Sequence, residues 1–186
     1  MVKKEQVLME HEIFKGCQLE WIKAKTKKNH SFRYFVLGTS DPQGSPELRT
    51  VVLRGFDAEK MQFVVYTDAR TAKLKSLESN PVAELLFYHG PRLTQIRVKV
   101  QLVSAAPDDE LFKQQHEGAQ KDYTTALPPG AVIKGIDQVS YTTENHFRKL
   151  IFQAESIEYL KLKRPNHIRL RFQKTDQGWE TNYLTP

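Results

Sequence analysis

Basic and hydroxyl side chains cluster where a predicted strand leads into a short predicted helix. The strand ends at Tyr66 and Thr67, and Arg70, Thr71 and Lys73 follow at the start of the helix. The first turn of a helix offers N–H groups without intrahelical partners and the positive end of the helix dipole, so it attracts phosphate. The threonine hydroxyls can donate further hydrogen bonds, and the two basic side chains add charge. This turn is therefore a candidate phosphate-binding site.

Arg49 is a further cation that could reach the same phosphate. It opens a neighbouring predicted strand, and a planar guanidinium can bind two phosphate oxygens at once. A simpler interpretation is also open, because basic side chains near a short helix are commonly solvated and a threonine can serve only as the N-cap. The sequence contains no Gly-x-x-x-x-Gly-Lys, which excludes a Walker loop, and no Gly-x-Gly-x-x-Gly.

The hydrophobic pattern predicts a mainly β protein with helical inserts. Apolar residues at spacings of three to five predict an N-terminal helix over about residues 5–26. The period then changes to two, and predicted strands cover residues 32–37, 49–54, 61–66, 82–88, 94–103, 147–152, 157–162, 168–172 and 179–184. Helices are predicted over 67–80 and 108–120, while 121–146 shows no clear period. Short strands at this spacing predict a single domain over residues 1–186, built as an antiparallel barrel.

Composition limits the class of protein. The 28 Lys and Arg against 22 Asp and Glu give a net charge of +6, which favours anionic partners without separating nucleic acids from small phosphates. The longest apolar runs have only strand length, and no apolar segment follows the first residues. We therefore expect no membrane span, no secretory signal and a cytoplasmic location. The single cysteine, Cys17, is predicted to be a packed thiol, and the six histidines show no metal-ligand spacing.

Several segments of the chain occur in a specific order and spacing. They are Arg49-Thr-Val-Val-Leu-Arg-Gly-Phe-Asp57, Phe63-Val-Val-Tyr-Thr-Asp68, Lys73, Ser79-Asn-Pro-Val-Ala-Glu-Leu-Leu-Phe-Tyr88, Thr94-Gln-Ile-Arg-Val98, Trp179 and Tyr183-Leu-Thr-Pro186. Together they closely resemble the pyridoxamine 5′-phosphate oxidase family of flavoproteins, over roughly residues 20–105 and 155–186. The resemblance implies a split β-barrel of antiparallel strands, FMN as the cofactor, and a homodimer with the flavin at the subunit interface.

The same resemblance implies which residues hold FMN. Family residues that contact the flavin and its phosphate match Arg49, Thr50, Val51, Val52, Tyr66, Thr67, Thr71 and Lys73. Where the family has an arginine on the phosphate this chain has Ala72, and we expect Arg70 to replace it. Gln95 matches a glutamine that reaches the isoalloxazine from the partner subunit, and Arg169 matches an arginine that contacts the flavin.

The substrate side of the site matches the family much less well. Arg54 and His167 match residues that hold the substrate, but the family's Tyr-x-x-x-Arg-x-x-x-Ser set has no counterpart near residues 112–120. A family tryptophan is also missing, and Tyr159 and Leu160 occupy its region. A phosphate dianion without its arginine loses charge-assisted bonds of about 1.5–3 kcal/mol each. We therefore expect an FMN-dependent oxidoreductase with an unassigned substrate rather than a classical pyridoxamine phosphate oxidase.

Other functional classes are open from the sequence. A flavin binder without turnover, for storage or sensing, would use the same barrel. A nucleic-acid-binding barrel would account for the isoelectric point of about 9.3 and for aromatic residues on strands, and we rank it last. Haem or a deazaflavin could replace FMN, although the phosphate-site match favours FMN. The sequence indicates no catalytic acid, base or nucleophile.

Overall fold

Alternating apolar residues build one antiparallel sheet, which helices cover. The computed structural model describes residues 2–186. In this range the strands are β1 (Tyr34–Ser40), β2 (Pro46–Val52), β3 (Gly55–Asp57), β4 (Gln62–Asp68), β5 (Val82–His89), β6 (Thr94–Ala106), β7 (Phe147–Lys161), β8 (Ile168–Thr175) and β9 (Gly178–Tyr183). The α-helices are α1 (Val2–Thr26), α2 (Ala72–Ser79), α3 (Asp109–Lys113) and α4 (Glu117–Lys121). None of the helices in this range is long and apolar enough to cross a membrane.

Strand β7 is the place where the sheet divides. The strand order is β2-β1-β5-β6-β7-β4-β3, and β8 and β9 continue from β7 as a second branch. On one edge β7 pairs with β6; on the other, residues 147–153 pair with β4 and residues 156–161 pair with β8. Register shifts in β6 lie opposite the division, and such bulges increase the local bend and twist. The sheet therefore curls into a half-barrel with two branches.

The chain crosses between the two ends of the curled sheet directly after β2. The N–H of Leu53 donates to the carbonyl of Arg33 at 2.8 Å, and the N–H of Arg54 donates to the carbonyl of Val64 at 2.9 Å. Arg33 precedes β1 and Val64 lies in β4, so these two hydrogen bonds bring distant strands of the sheet together. Arg54 is fixed at this crossing.

Helix α1 covers an aromatic core. The ring of Trp21 is completely buried and lies 4.9 Å from that of Phe63, 5.1 Å from that of Phe56 and 5.7 Å from that of Phe87. Cys17 lies one turn earlier in the same helix, and burial raises the pKa of its thiol to about 12. The predictions of an N-terminal helix and of a packed, unreactive thiol are confirmed.

The prediction of a mainly antiparallel β protein is confirmed, but two predicted helices have wrong boundaries. The helix predicted over 67–80 begins only at Ala72, because the end of β4 stays paired with β7 and Thr71 has extended backbone with φ −72° and ψ 146°. The helix predicted over 108–120 is two short helices, because the backbone of His116 between them is extended, with ψ 143°.

Two strand predictions also differ from the structure. The strands predicted over 147–152 and 157–162 are one continuous strand, β7, because β6 pairs with both parts. Residues 55–57, which lie outside every predicted strand, form β3 by pairing with β4. The two parts of β7 are joined by their pairing with β6, which is far away in the chain, and the three residues of β3 are too few to show a period. Neither feature is therefore visible in the local sequence.

Trp21 offers a direct test of how α1 is attached to the core. Trp21→Ala leaves a large cavity, so we expect the free energy of unfolding to fall by about 3–5 kcal/mol. The indole N–H has no hydrogen-bond partner among the described residues, so Trp21→Phe removes only volume and should cost clearly less. Denaturant unfolding followed by circular dichroism measures both values. Equal losses would contradict the aromatic packing described above.

Candidate functional site

Two threonines and a lysine of the predicted phosphate site meet at the start of α2. The Lys73 ammonium donates to the Thr67 hydroxyl at 2.8 Å, and that hydroxyl lies 3.3 Å from the hydroxyl of Thr71. Thr67 and Thr71 are buried. Thr71 is the N-cap of α2, but its side chain makes no capping hydrogen bond. The first N–H groups of the helix can therefore donate to a ligand.

Arg49 lies in β2, next to this cluster. Its guanidinium donates to the Thr39 hydroxyl at 2.7 Å and to the Glu47 carboxylate at 2.9 Å. Ser76 of α2 donates to the same carboxylate oxygen at 3.2 Å, so Glu47 joins β2 to α2. Through this contact, tertiary structure brings Arg49 and Lys73 to one place although they lie 24 positions apart in the chain.

The electrostatics of this cluster suit an anion. Burial, and then the charge of Arg49, lower the pKa of Lys73, while Asp68 opposes them. Within residues 2–186, no carboxylate forms an ion pair with Lys73. A half-buried ammonium that is bound only to a hydroxyl gains free energy when a negative ligand arrives. Lys73, Arg49, the two threonines and the helix start therefore fit a phosphate monoester.

Arg70 is directed elsewhere. Its guanidinium donates twice to the buried carboxylate of Asp68, at 3.0 and 2.7 Å, and once to the hydroxyl of Thr125 at 3.2 Å. A longer contact of 3.5 Å reaches the carbonyl of Ala126. Arg70 thus ties the turn before α2 to the segment of residues 121–146. Its assignment to the FMN phosphate stays a prediction.

Neighbouring residues of β2 point to opposite faces of the sheet. Arg49 pairs with the buried Leu37 of β1, and Val51 packs against the core, so both belong to the inner face. Thr50 and Val52 alternate with them and belong to the outer face. The predicted cofactor residues of this one strand are therefore divided between the two faces.

Gln95 and Arg169 also lie on the outer face. A row of paired residues crosses the sheet from β2 to β8, through Thr50, Val36, Leu86, Arg97, Glu158 and Arg171. In the adjacent row, Leu160 pairs with both Gln95 and Arg169, and its side chain shares their face. Tyr159 faces inward, so Leu160 is the residue that stands beside Gln95 and Arg169 where the family tryptophan is missing. The sheet itself separates Gln95 and Arg169 from the Arg49–Lys73 cluster.

Arg54 and Tyr66 lie together where the chain crosses. The guanidinium carbon of Arg54 is 5.4 Å from the centroid of the Tyr66 ring, and Phe147 packs against both Tyr66 and Tyr123. Burial raises the pKa of both tyrosines, and the charge of Arg54 opposes this shift. None of the ion pairs in the described part of the chain involves Arg54. The arrangement can receive an anionic group between aromatic rings.

His167 is not brought to this place. It lies in the turn between β7 and β8, where its Nδ1 accepts a hydrogen bond of 3.0 Å from the N–H of Lys163. Among the described residues, no three His, Cys, Asp or Glu side chains come together as a metal site would need.

Three acidic residues that orient the basic ones were missed by sequence reasoning. Glu47 and Asp68 each lie two positions before their arginines, a spacing that puts side chains on one face of a strand and could have been noticed. Glu158 binds arginines from two neighbouring strands, and no local signal in the sequence indicates that pairing.

Comparison with known proteins gives a family. Residues 16–105 match the family model described as the FMN-binding domain of pyridoxamine 5′-phosphate oxidase. The pyridoxine/pyridoxamine 5′-phosphate oxidase of Caulobacter vibrioides is 29% identical over 187 aligned positions, which cover 90% of this chain and 82% of that protein. Pyridoxine/pyridoxamine 5′-phosphate oxidase 2 of Arabidopsis thaliana is 26% identical and covers 89% of this chain and 92% of its own.

Solved structures show the same fold. A pyridoxamine 5′-phosphate oxidase-related, FMN-binding protein from Nostoc punctiforme superimposes with a TM-score of 0.75 at 22% identity, covering 92% of this chain and 96% of that one. PhzG from Burkholderia lata, in complex with tetrahydrophenazine-1-carboxylic acid, gives 0.70 at 17% identity, with coverages of 84% and 83%.

The fold and the match to an FMN-binding family model define a split-barrel flavoprotein with FMN as its cofactor. Residues 16–105 of the chain match the FMN-binding domain of the pyridoxamine 5′-phosphate oxidase family, and the fold is that of its split-barrel members. The predictions of the family, the split barrel and FMN are confirmed.

The phosphate cluster can be tested by two substitutions. Arg49→Ala and Lys73→Ala each remove a charged hydrogen-bond donor, so we expect each to weaken FMN binding by about 1–3 kcal/mol, roughly 5- to 150-fold in dissociation constant. Quenching of flavin fluorescence measures the affinity. Lys75→Ala, an exposed lysine on the same helix, is the matched control and should have no effect. Unchanged affinity in both test variants would refute the phosphate assignment.

Arg70→Ala separates the two roles that this side chain could have. Loss of the contacts to Thr125 and Ala126 should make the 121–146 segment more susceptible to limited proteolysis, because the hydrogen bond from the N–H of Ala69 to the carbonyl of His146 holds only the far end of the segment. Cleavage sites are read by mass spectrometry. An unchanged cleavage rate would argue against the tether, and a loss of FMN affinity like that of Lys73→Ala would place Arg70 on the phosphate.

Proposed function

We propose that this chain is an FMN-dependent oxidoreductase that acts as a homodimer, with each flavin held between the two subunits. The observation that carries the proposal is the division of the predicted FMN residues between two faces of one sheet. A single flavin cannot touch both faces of the same sheet. It can touch the Arg49–Lys73 cluster of one copy and Gln95 and Arg169 of another.

The phosphate end of FMN fits the cluster at α2. Lys73 and Arg49 would neutralise the phosphate, and Thr67, Thr71 and the first N–H groups of α2 would donate to its oxygens. Tyr66, Thr50, Val51 and Val52 lie on the adjoining strands and would contact the flavin. When bound, FMN supplies the redox chemistry, and the protein supplies binding, orientation and exclusion of water.

The outer face has the character of a surface that another copy covers. A groove of about 680 Å³ runs along it, lined by apolar side chains such as Leu86 and by charged ones such as Arg97. Large apolar side chains are exposed on the same face, among them Leu48 at 74%, Tyr34 at 59%, Tyr88 at 53% and Val82 at 38%. Contiguous exposed apolar surface of this kind marks an interaction site. In a symmetric dimer, this face of each subunit would be buried against the other subunit.

The proposed substrate is a small molecule with an anionic group. The names of the relatives support oxidation of such a molecule, while the missing arginine, tyrosine and serine set argues against classical pyridoxamine phosphate oxidation. Arg54 has no acidic partner among the described residues and lies on aromatic rings, so we assign it to the substrate. His167 is a second candidate for binding the substrate, and only its match to the family supports this role.

Flavin loading and reduction test the proposed activity. We expect the purified protein to be yellow and its melting temperature to rise with added FMN. In the absence of oxygen, pyridoxamine 5′-phosphate, NADH, NADPH and cyclic carboxylic acids are then offered as reductants while flavin absorbance is followed. Bleaching by one of them and recovery in air are expected. A colourless protein that FMN does not stabilise would contradict the proposal, and a holoprotein that no donor reduces would favour a binder without turnover.

A heterodimer of two variants tests the shared site. When Lys73→Ala and Gln95→Ala chains are co-expressed and the mixed dimer is isolated, one site carries both defects and the other carries none. We therefore expect one FMN site per dimer with wild-type affinity, whereas each homodimer binds more weakly, by about 0.5–1.5 kcal/mol for Gln95→Ala. If Gln95 serves the flavin of its own subunit, no site of the mixed dimer reaches wild-type affinity.

A further inference from the structure

A single carboxylate on the outer face binds three arginines. The distances from guanidinium nitrogens to the carboxylate oxygens of Glu158 are 2.7 Å for Arg169, 3.6 Å for Arg97 and 3.8 Å for Arg171. Its side chain is only 12% exposed, while the arginine side chains are 29–49% exposed. Arg97 has a second carboxylate, Glu84, at 2.6 Å. Arg169 and Arg171 have no other acidic partner in the described part of the chain.

The sheet register explains why Glu158 meets all three. Arg97 and Arg171 are its direct partners on β6 and β8, while Arg169 is its diagonal neighbour, one row along. Diagonal neighbours on an antiparallel sheet are within reach of long side chains. Glu158 therefore reaches from its own row into the row that contains Gln95 and Arg169.

The contacts of Arg169 leave one edge of its guanidinium free for a ligand. Nε and Nη2 donate to the same oxygen of Glu158, at 3.2 and 2.7 Å, and Nη1 is 3.4 Å from the carbonyl of Thr185. A guanidinium has five N–H groups, so two are left, one on each terminal nitrogen. Both can donate to a ligand that offers acceptor atoms to the two terminal nitrogens.

We propose that Glu158 is the positioning residue that turns Arg169 towards the flavin. It binds Nε and Nη2 of the guanidinium and so fixes its orientation in the row that also contains Leu160 and Gln95. The inference rests on the proposed function, because Arg169 is there assigned to the flavin of the other copy. Glu158 itself does not touch the cofactor; its effect on binding passes through Arg169.

The alternative is that Glu158 only neutralises repulsion among three arginines. In that case its charge matters for folding and dimer formation but not for the direction of Arg169. Arg171 provides the matched comparison, because it contacts the other oxygen of the same carboxylate and lies in the row without Gln95. Removing Arg171 changes the charge of the cluster and leaves the fork of Arg169 intact.

The experiment measures FMN affinity and the visible spectrum of bound flavin in four variants: Glu158→Gln, Arg169→Gln, the double variant and Arg171→Gln. We expect Glu158→Gln and Arg169→Gln each to raise the FMN dissociation constant about tenfold, as loss of a charge-assisted bond does. The double variant should lose no more than either single one, because both act on the same contact. Arg171→Gln should stay within about twofold of wild type.

Each further outcome has a defined meaning. Losses that add in the double variant, or a Glu158→Gln protein with wild-type affinity and spectrum, would overturn the positioning role. Dimer mass and melting temperature are measured alongside, and Glu158→Asp, which keeps the charge but shortens its reach, replaces Glu158→Gln if that variant does not assemble. Loss of the dimer in both would assign Glu158 a structural role and overturn the inference. A wild-type protein that does not bind FMN would instead refute the proposed function.

Discussion

Pairing of β7 with three other strands fixes the relative positions, within one subunit, of the residues predicted to bind the FMN phosphate and of those predicted to bind the flavin ring. Its first half binds β4, which contains Thr67 and leads through the turn with Thr71 into α2. Its second half binds β8, which carries Arg169, and its other edge binds β6, which carries Gln95. Because β4, β6 and β8 are all hydrogen-bonded to β7, these two sets of residues keep fixed relative positions within one subunit.

Alternation of side chains then assigns the two ends to different faces. On a sheet, a shift of one residue moves a side chain to the other face, so Arg49 and Thr50 cannot serve the same surface. A flavin that uses both ends must therefore lie between two sheets. The exposed apolar side chains on the outer face agree with this arrangement, since a second copy would remove them from water.

Carboxylates hold the three arginines that are predicted to bind the cofactor, whereas Lys73 forms no ion pair with a carboxylate among the described residues. Glu47 binds Arg49, Asp68 binds Arg70 and Glu158 binds Arg169. Each pair limits the rotamers of a long side chain, which lowers the entropy lost when a ligand binds. Among the described residues, the Lys73 ammonium donates only to the Thr67 hydroxyl, so it gains free energy when a phosphate binds.

The sequence by itself determined the features that depend on near neighbours in the chain. The period of two predicted the strands, the helical spacing predicted α1, and Thr67, Thr71 and Lys73 were found together because they lie within seven consecutive positions. Only the tertiary structure decided the contacts between distant segments: Glu47 with Ser76, Arg70 with Thr125, and Glu158 with arginines of two other strands. The local sequence pattern indicates on which face of a strand a side chain lies, but strand register and packing decide which residues it contacts there.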